Sequence, residues 1–62
     1  MPESGKSLIK RLLKEGWEID RKKGSHFIMI KGEVQVTVPN HTTDLPIGTY
    51  RSICKVAGVE PK

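Results

Sequence analysis

The stretch WEIDRKKGSHFIMIKGEVQVTVP, residues 17–39, decides the fold. Trp17 and Ile19 alternate with Glu18 and Asp20, the period of a half-buried strand. Arg21-Lys22-Lys23-Gly24 reads as a basic turn, and Ser25–Ile30 has the β-branched and aromatic content of a second strand. Lys31-Gly32-Glu33 turns the chain again. Val34, Val36 and Val38 then alternate with Gln35 and Thr37, the clearest strand signal in the chain. Pro39 ends that strand, because proline has no N–H to give to a ladder. Three short strands joined by tight turns predict an antiparallel meander.

Working outward, Leu8, Ile9, Leu12 and Leu13 share one face of a helix over residues 6–15. Lys6, Lys10, Arg11, Lys14 and Glu15 fall largely on the other face, which reads as solvated. Ser4 can cap this helix and Gly16 can end it. On the far side of the meander, Asn40–Pro46 reads as polar loop. Ile47, Tyr50, Ile53, Cys54 and Ala57 follow at helical spacing, with Gly58 as the stop. This helix is expected to begin between Pro46 and Thr49. Two amphipathic helices can cover one face of a three-stranded antiparallel sheet, so the predicted fold is α+β, in the order α-β-β-β-α. The chain is one domain, residues 1–62.

Composition bounds what such a domain can do. Sixteen Leu, Ile, Val and Phe supply a thin core. A domain of this size buries only about 60% of the surface of its unfolded chain, which excludes an enzyme with a deep pocket. Any catalysis must use few side chains on an open surface. Eleven Lys and Arg against seven Asp and Glu give a net charge of +4. That balance suits a phosphate polyanion, although solubility alone also accounts for it. Cys54 is the single cysteine, so an internal disulfide and a four-thiolate zinc site are excluded. The longest apolar run, Phe27–Ile30, is too short for a membrane span or a signal peptide, and a cytoplasmic protein is expected.

Several motifs fail on their context. Gly5-Lys6-Ser7 looks like the end of a phosphate-binding loop, but the first glycine of that motif would precede Met1. Asn40-His41-Thr42 fits a glycosylation acceptor with nothing to route the chain for secretion. His26, His41, Asp44 and Cys54 are scattered without ligand-pair spacing, so no metal site is expected. What remains is Arg21-Lys22-Lys23-Gly24-Ser25-His26. Three cations would gather phosphates, and Gly24 would let a backbone approach closely. His26 follows them, with a side chain suited to moving protons near neutral pH. The plainer reading is a solvated basic turn with an incidental strand histidine. His41 offers a second acid/base group if the meander brings the strand ends together; otherwise it is an ordinary loop residue. Thr49 and Arg51 open the second helix, whose amides with Arg51 could hold a phosphate. Cys54 and Trp17 read as core.

Gly16-Trp17, Arg21-x-Lys23-Gly24-Ser25-His26, Val38-Pro39-x-His41, Gly48-Thr49-x-Arg51-Ser52-Ile53 and Ala57-Gly58, in this order, resemble the HicA family. These are the small mRNA interferase toxins of HicA–HicB toxin–antitoxin systems, and the resemblance covers nearly the whole chain. It implies a fold like a double-stranded RNA-binding domain, ribosome-independent cleavage of mRNA without a cofactor, and a HicB-like antitoxin that blocks the active site. The family's catalytic histidine lies in its Gly-Ser-His segment, which falls on His26. Many members carry a second histidine directly after it; Phe27 stands there in this chain. Because that family position is often polar, Phe27 and Met29 are expected as the pair facing away from the helices, on a partner surface.

The reading is therefore a metal-independent endoribonuclease toxin with His26 as base and His41 as candidate acid. Arg21, Lys22, Lys23, Gly24, Ser25, Thr49 and Arg51 are its RNA-binding candidates. The rival is an RNA-binding domain of the same fold that cuts nothing. A more distant rival is an interaction protein whose charge serves only solubility.

Overall fold

A computed structural model describes residues 3–61. Five elements come in the expected order: α1 (Gly5–Lys14), β1 (Glu18–Lys23), β2 (His26–Lys31), β3 (Val34–Pro39) and α2 (Ile47–Ala57). The strands form one antiparallel sheet in the order β1-β2-β3. Ser4 caps α1, its Oγ accepting from the Ser7 N–H at 3.2 Å. Leu8, Ile9 and Leu12 of α1 and Tyr50, Ile53 and Cys54 of α2 pack on one face of the sheet, over Met29, Val36 and Val38. Trp17 and Leu45 complete this core. Leu13, read from sequence with the apolar face of α1, is 45% exposed.

The largest departure from the sequence reading is in β1. Arg21, Lys22 and Lys23 are not a turn but the second half of a strand, paired with Ile28, Phe27 and His26. The turn shrinks to Gly24-Ser25. Gly24 takes φ 61 while Ser25 keeps a negative φ, the pattern of a two-residue hairpin loop whose twist matches its strands. The ladder therefore runs to its last pair, and β2 starts at His26 rather than Ser25. A bulge between Ile19 and Arg21 resets the alternation in β1, so that Ile19 and Lys22 share the helix side while Arg21 and Lys23 take the open side.

The same register corrects the expected facing of β2. Phe27 pairs with Val38 and Met29 with Val36, so these residues share the core face set by the valines of β3. Met29 is fully buried and Phe27 packs half-buried against the same cluster; they are not an outward pair. His26, Ile28 and Ile30 take the open face. Ile28 is only 7% exposed there, between its cross-strand neighbours Arg21 and Thr37.

Arg11 also departs from the solvated role read for it. Its Nη2 donates to Glu3 Oε1 at 2.7 Å, and its Nη1 donates to the Glu60 carbonyl at 2.8 Å. Glu3 is buried and also accepts from the Tyr50 hydroxyl at 2.9 Å and from Ser7 Oγ at 2.7 Å. This network ties the chain start, α1, α2 and the chain end together. Removing the Tyr50 hydroxyl takes a donor from a buried carboxylate, so Tyr50→Phe is expected to cost about 1.5 kcal/mol in a urea melt. An unchanged midpoint would show that the network adds nothing to stability.

Candidate functional site

The β1–β2 hairpin sets the geometry of the site. Lys23 and His26 are its closing pair, directly opposite one another on the open face. His26 is also the register partner of Pro39 on β3. The ladder continues one step further, with the Asn40 N–H donating to the Ser25 carbonyl at 2.6 Å. His41 follows at once, its N–H bonded to the Pro39 carbonyl at 3.0 Å and its carbonyl accepting from Lys6 N–H at 3.1 Å. Both histidines thus lie at one end of the sheet, beside the start of α1. Both are exposed, and neither imidazole makes a hydrogen bond or ion pair among the described residues.

The three cations of the basic run do not form one patch. Arg21 and Lys23 point to the open face with His26. Lys22 points to the other side, where its Nζ sits 5.0 Å from the centroid of the Phe27 ring. Arg21 Nε lies 3.9 Å from Asp20 Oδ2 in an exposed, weak pair. Lys23 is therefore the cation placed against His26. Gly24 takes the positive φ of the turn and has none of the protein's own atoms against it.

Thr49 and Arg51 are exposed on α2. No hydrogen bond or ion pair among the described residues joins them to the hairpin. Cys54 is 1% exposed, and burial pushes its thiol up from the ordinary value, as suits a core residue rather than a nucleophile. Among the described residues, no group of three His, Cys, Asp or Glu could hold a metal ion, and no helix is long and apolar enough to cross a membrane.

Sequence reasoning missed the Glu3–Arg11–Tyr50 network and the split of the basic run. A signal for the first was present: Tyr50 falls on the apolar stripe of its helix, and a buried tyrosine hydroxyl needs a polar partner. The bulge that splits the basic run left no comparable mark.

Fold and site together define a small α+β domain with two exposed histidines at a cationic sheet end. Residues 5–59 match the family described as HicA toxin of bacterial toxin–antitoxin, and the chain belongs to that family. It is a toxin-family protein for which an antitoxin partner is implied. No curated protein matches the chain.

Proposed function

We propose that the chain is an endoribonuclease that cuts mRNA without a metal ion and is held inactive by a HicB-like antitoxin. The observation that carries this reading is exposed His26 set opposite Lys23 at the open end of the sheet. RNA brings its own nucleophile, the ribose 2′-OH, so a small open surface can suffice. His26 takes the 2′-OH proton as the 2′-oxygen forms its bond to the neighbouring phosphorus. The bond from phosphorus to the 5′-oxygen breaks, and His41 gives that oxygen a proton. The products are a 2′,3′-cyclic phosphate and a 5′-hydroxyl. Lys23 and the turn amides at Gly24 and Ser25 stabilise the negative charge that grows on the phosphate. Arg21, and Thr49 with Arg51 on α2, hold phosphates farther along the strand.

Incubating the purified protein with single-stranded RNA and a chelator tests this reading. Fragments ending in 2′,3′-cyclic phosphate are expected. Binding without cleavage would point instead to a non-catalytic RNA-binding domain, and no binding at low salt would remove both. The facing of the cations adds a sharper expectation. Lys23→Gln should lower the slope of log affinity against log salt by about 0.7, the value of one phosphate contact on a single strand. Lys22→Gln should change it far less, because Lys22 lies on the other face over Phe27. The reverse order in a binding titration would place the RNA on the helix side of the hairpin.

A further inference from the structure

Lys6, Lys10 and Lys14 are exposed and follow one another at every fourth residue along α1, on the ridge opposite its buried Leu8, Ile9 and Leu12. Each step advances about 6 Å along the helix and turns by about 40°. None of the three side chains makes an ion pair or hydrogen bond among the described residues. Lys10 and Lys14 line a shallow groove with Ser7 and Arg11. The Arg11 guanidinium is committed to Glu3, Tyr50 and the Glu60 carbonyl, so the available charge of the groove is that of the lysines.

Helix stability accounts for Lys14, a cation in the last turn of α1, but not for Lys6 and Lys10. α1 has no acidic residue in its first turn; Lys6 stands there, against the helix dipole. The residues three and four positions from Lys10 are Ser7, Leu13, Lys6 and Lys14, so Lys10 has like charges on both sides and no carboxylate to offset them. Like charges at this spacing destabilise a helix. The row also begins at the candidate catalytic end, where the Lys6 N–H donates to the His41 carbonyl at 3.1 Å.

We infer that this ridge is a second phosphate-binding track, which grips the RNA strand to one side of the bond broken at His26. The inference rests on the RNA-cleaving reading above and adds a surface to it. A polyphosphate strand fits better than a protein partner: the ridge offers repeated lysines, a residue depleted from the cores of protein interfaces, and Leu13 is the one large apolar residue that α1 exposes. Phosphate contacts of this kind are indifferent to sequence and add affinity in proportion to the length of strand engaged.

The test is the double variant Lys10→Gln/Lys14→Gln, which keeps helix propensity nearly constant. Its binding to a fluorescently labelled single-stranded RNA is compared with that of the unaltered chain. The salt slope should fall by about 1.4, and the affinity near 0.1 M salt by about 25-fold. The advantage of a long RNA over a trinucleotide should shrink by a similar factor, leaving the part that Arg21, Thr49 and Arg51 supply. Lys55→Gln, on α2, should have little effect. If the unaltered chain binds RNA and the double variant binds it equally well, the track is overturned while the hairpin site stands. An equal loss per charge in Lys55→Gln would reduce the effect to net charge and overturn it too. Unchanged RNA affinity with escape from inhibition by a HicB-like protein would make the ridge a protein surface instead. If the unaltered chain does not bind RNA, the parent reading fails and the track falls with it.

Discussion

Replacing His26 by alanine is expected to slow RNA cleavage by roughly a hundred- to ten-thousand-fold, the contribution of a positioned general base. The fold should not change. The His26 side chain is exposed and without a partner among the described residues, and its place in the sheet is held through the backbone pairs to Lys23 and Pro39. Substitutions at such positions usually move stability by less than about 0.5 kcal/mol. Lys23 and Arg21 remain on the same face, so RNA affinity should hold within about twofold, well under the 1.4 kcal/mol of a tenfold change. Single-turnover measurements with saturating protein separate chemistry from binding. His41→Ala should be slowed less, since water can replace it as the acid. Full activity in the His26 variant would move the base elsewhere; a loss of binding as large as the loss of rate would make His26 a contact rather than a base.

Gly5→Ala should be the most damaging single methyl group in the protein. A Cβ at Gly5 would lie inside the Pro39 carbonyl oxygen, 2.8 Å from the carbonyl carbon and 3.2 Å from the His41 nitrogen. The obstacle is backbone, which cannot rotate away as a side chain can. α1 would have to lift from the end of β3, stretching the Lys6 N–H bond to the His41 carbonyl. Overpacking of this kind costs about 2–3 kcal/mol. In a domain this small that amounts to a fall in Tm of at least about 10 °C. Gly48→Ala is the contrast: a Cβ there meets open space in the first turn of α2, and helix propensity should make the change neutral or slightly stabilising. Thermal melts followed by circular dichroism read both. Equal Tm values for Gly5→Ala and the unaltered chain would show that α1 does not bear on β3 as the structure has it. The phosphate-loop look of Gly5-Lys6-Ser7 thus has a packing explanation.

Much of the fold was legible because its signals are local. Valines at 34, 36 and 38 fix both a strand and a face; Ser4 caps α1 as read, and Gly58 stops α2. Trp17 and Cys54 are core as expected. The facing of Phe27 and Met29 was not legible from their own strand, where apolar residues occupy both faces. It follows from pairing with Val38 and Val36, which is a property of register. The basic run misled for a related reason. Lysine and arginine have weak strand preference, and a two-residue turn at Gly24-Ser25 extends a strand that composition alone would end at Asp20. Of the candidate site, His26 and Lys23 close the β1–β2 hairpin and His41 follows β3 at the same end of the sheet, a placement the sequence left conditional on how the strand ends meet. Lys22 does not join them, because one bulge residue decides which side each cation faces. The Glu3–Arg11–Tyr50 network joins residues far apart in sequence, and no local pattern marks such a partnership.

In the proposed reaction RNA supplies the nucleophile, His26 draws the proton from it and Lys23 offsets the charge that grows on the phosphate. The most direct measurement maps the cleaved bond in a single-stranded RNA and then removes the 2′-hydroxyl of the one nucleotide on its 5′ side. With a chelator present, the all-ribose strand should be cut to a 2′,3′-cyclic phosphate. The single-deoxy strand should bind as tightly and stay intact at that bond. Cleavage of the single-deoxy strand at the same bond, or cleavage of the all-ribose strand that stops when the chelator is added, would contradict it.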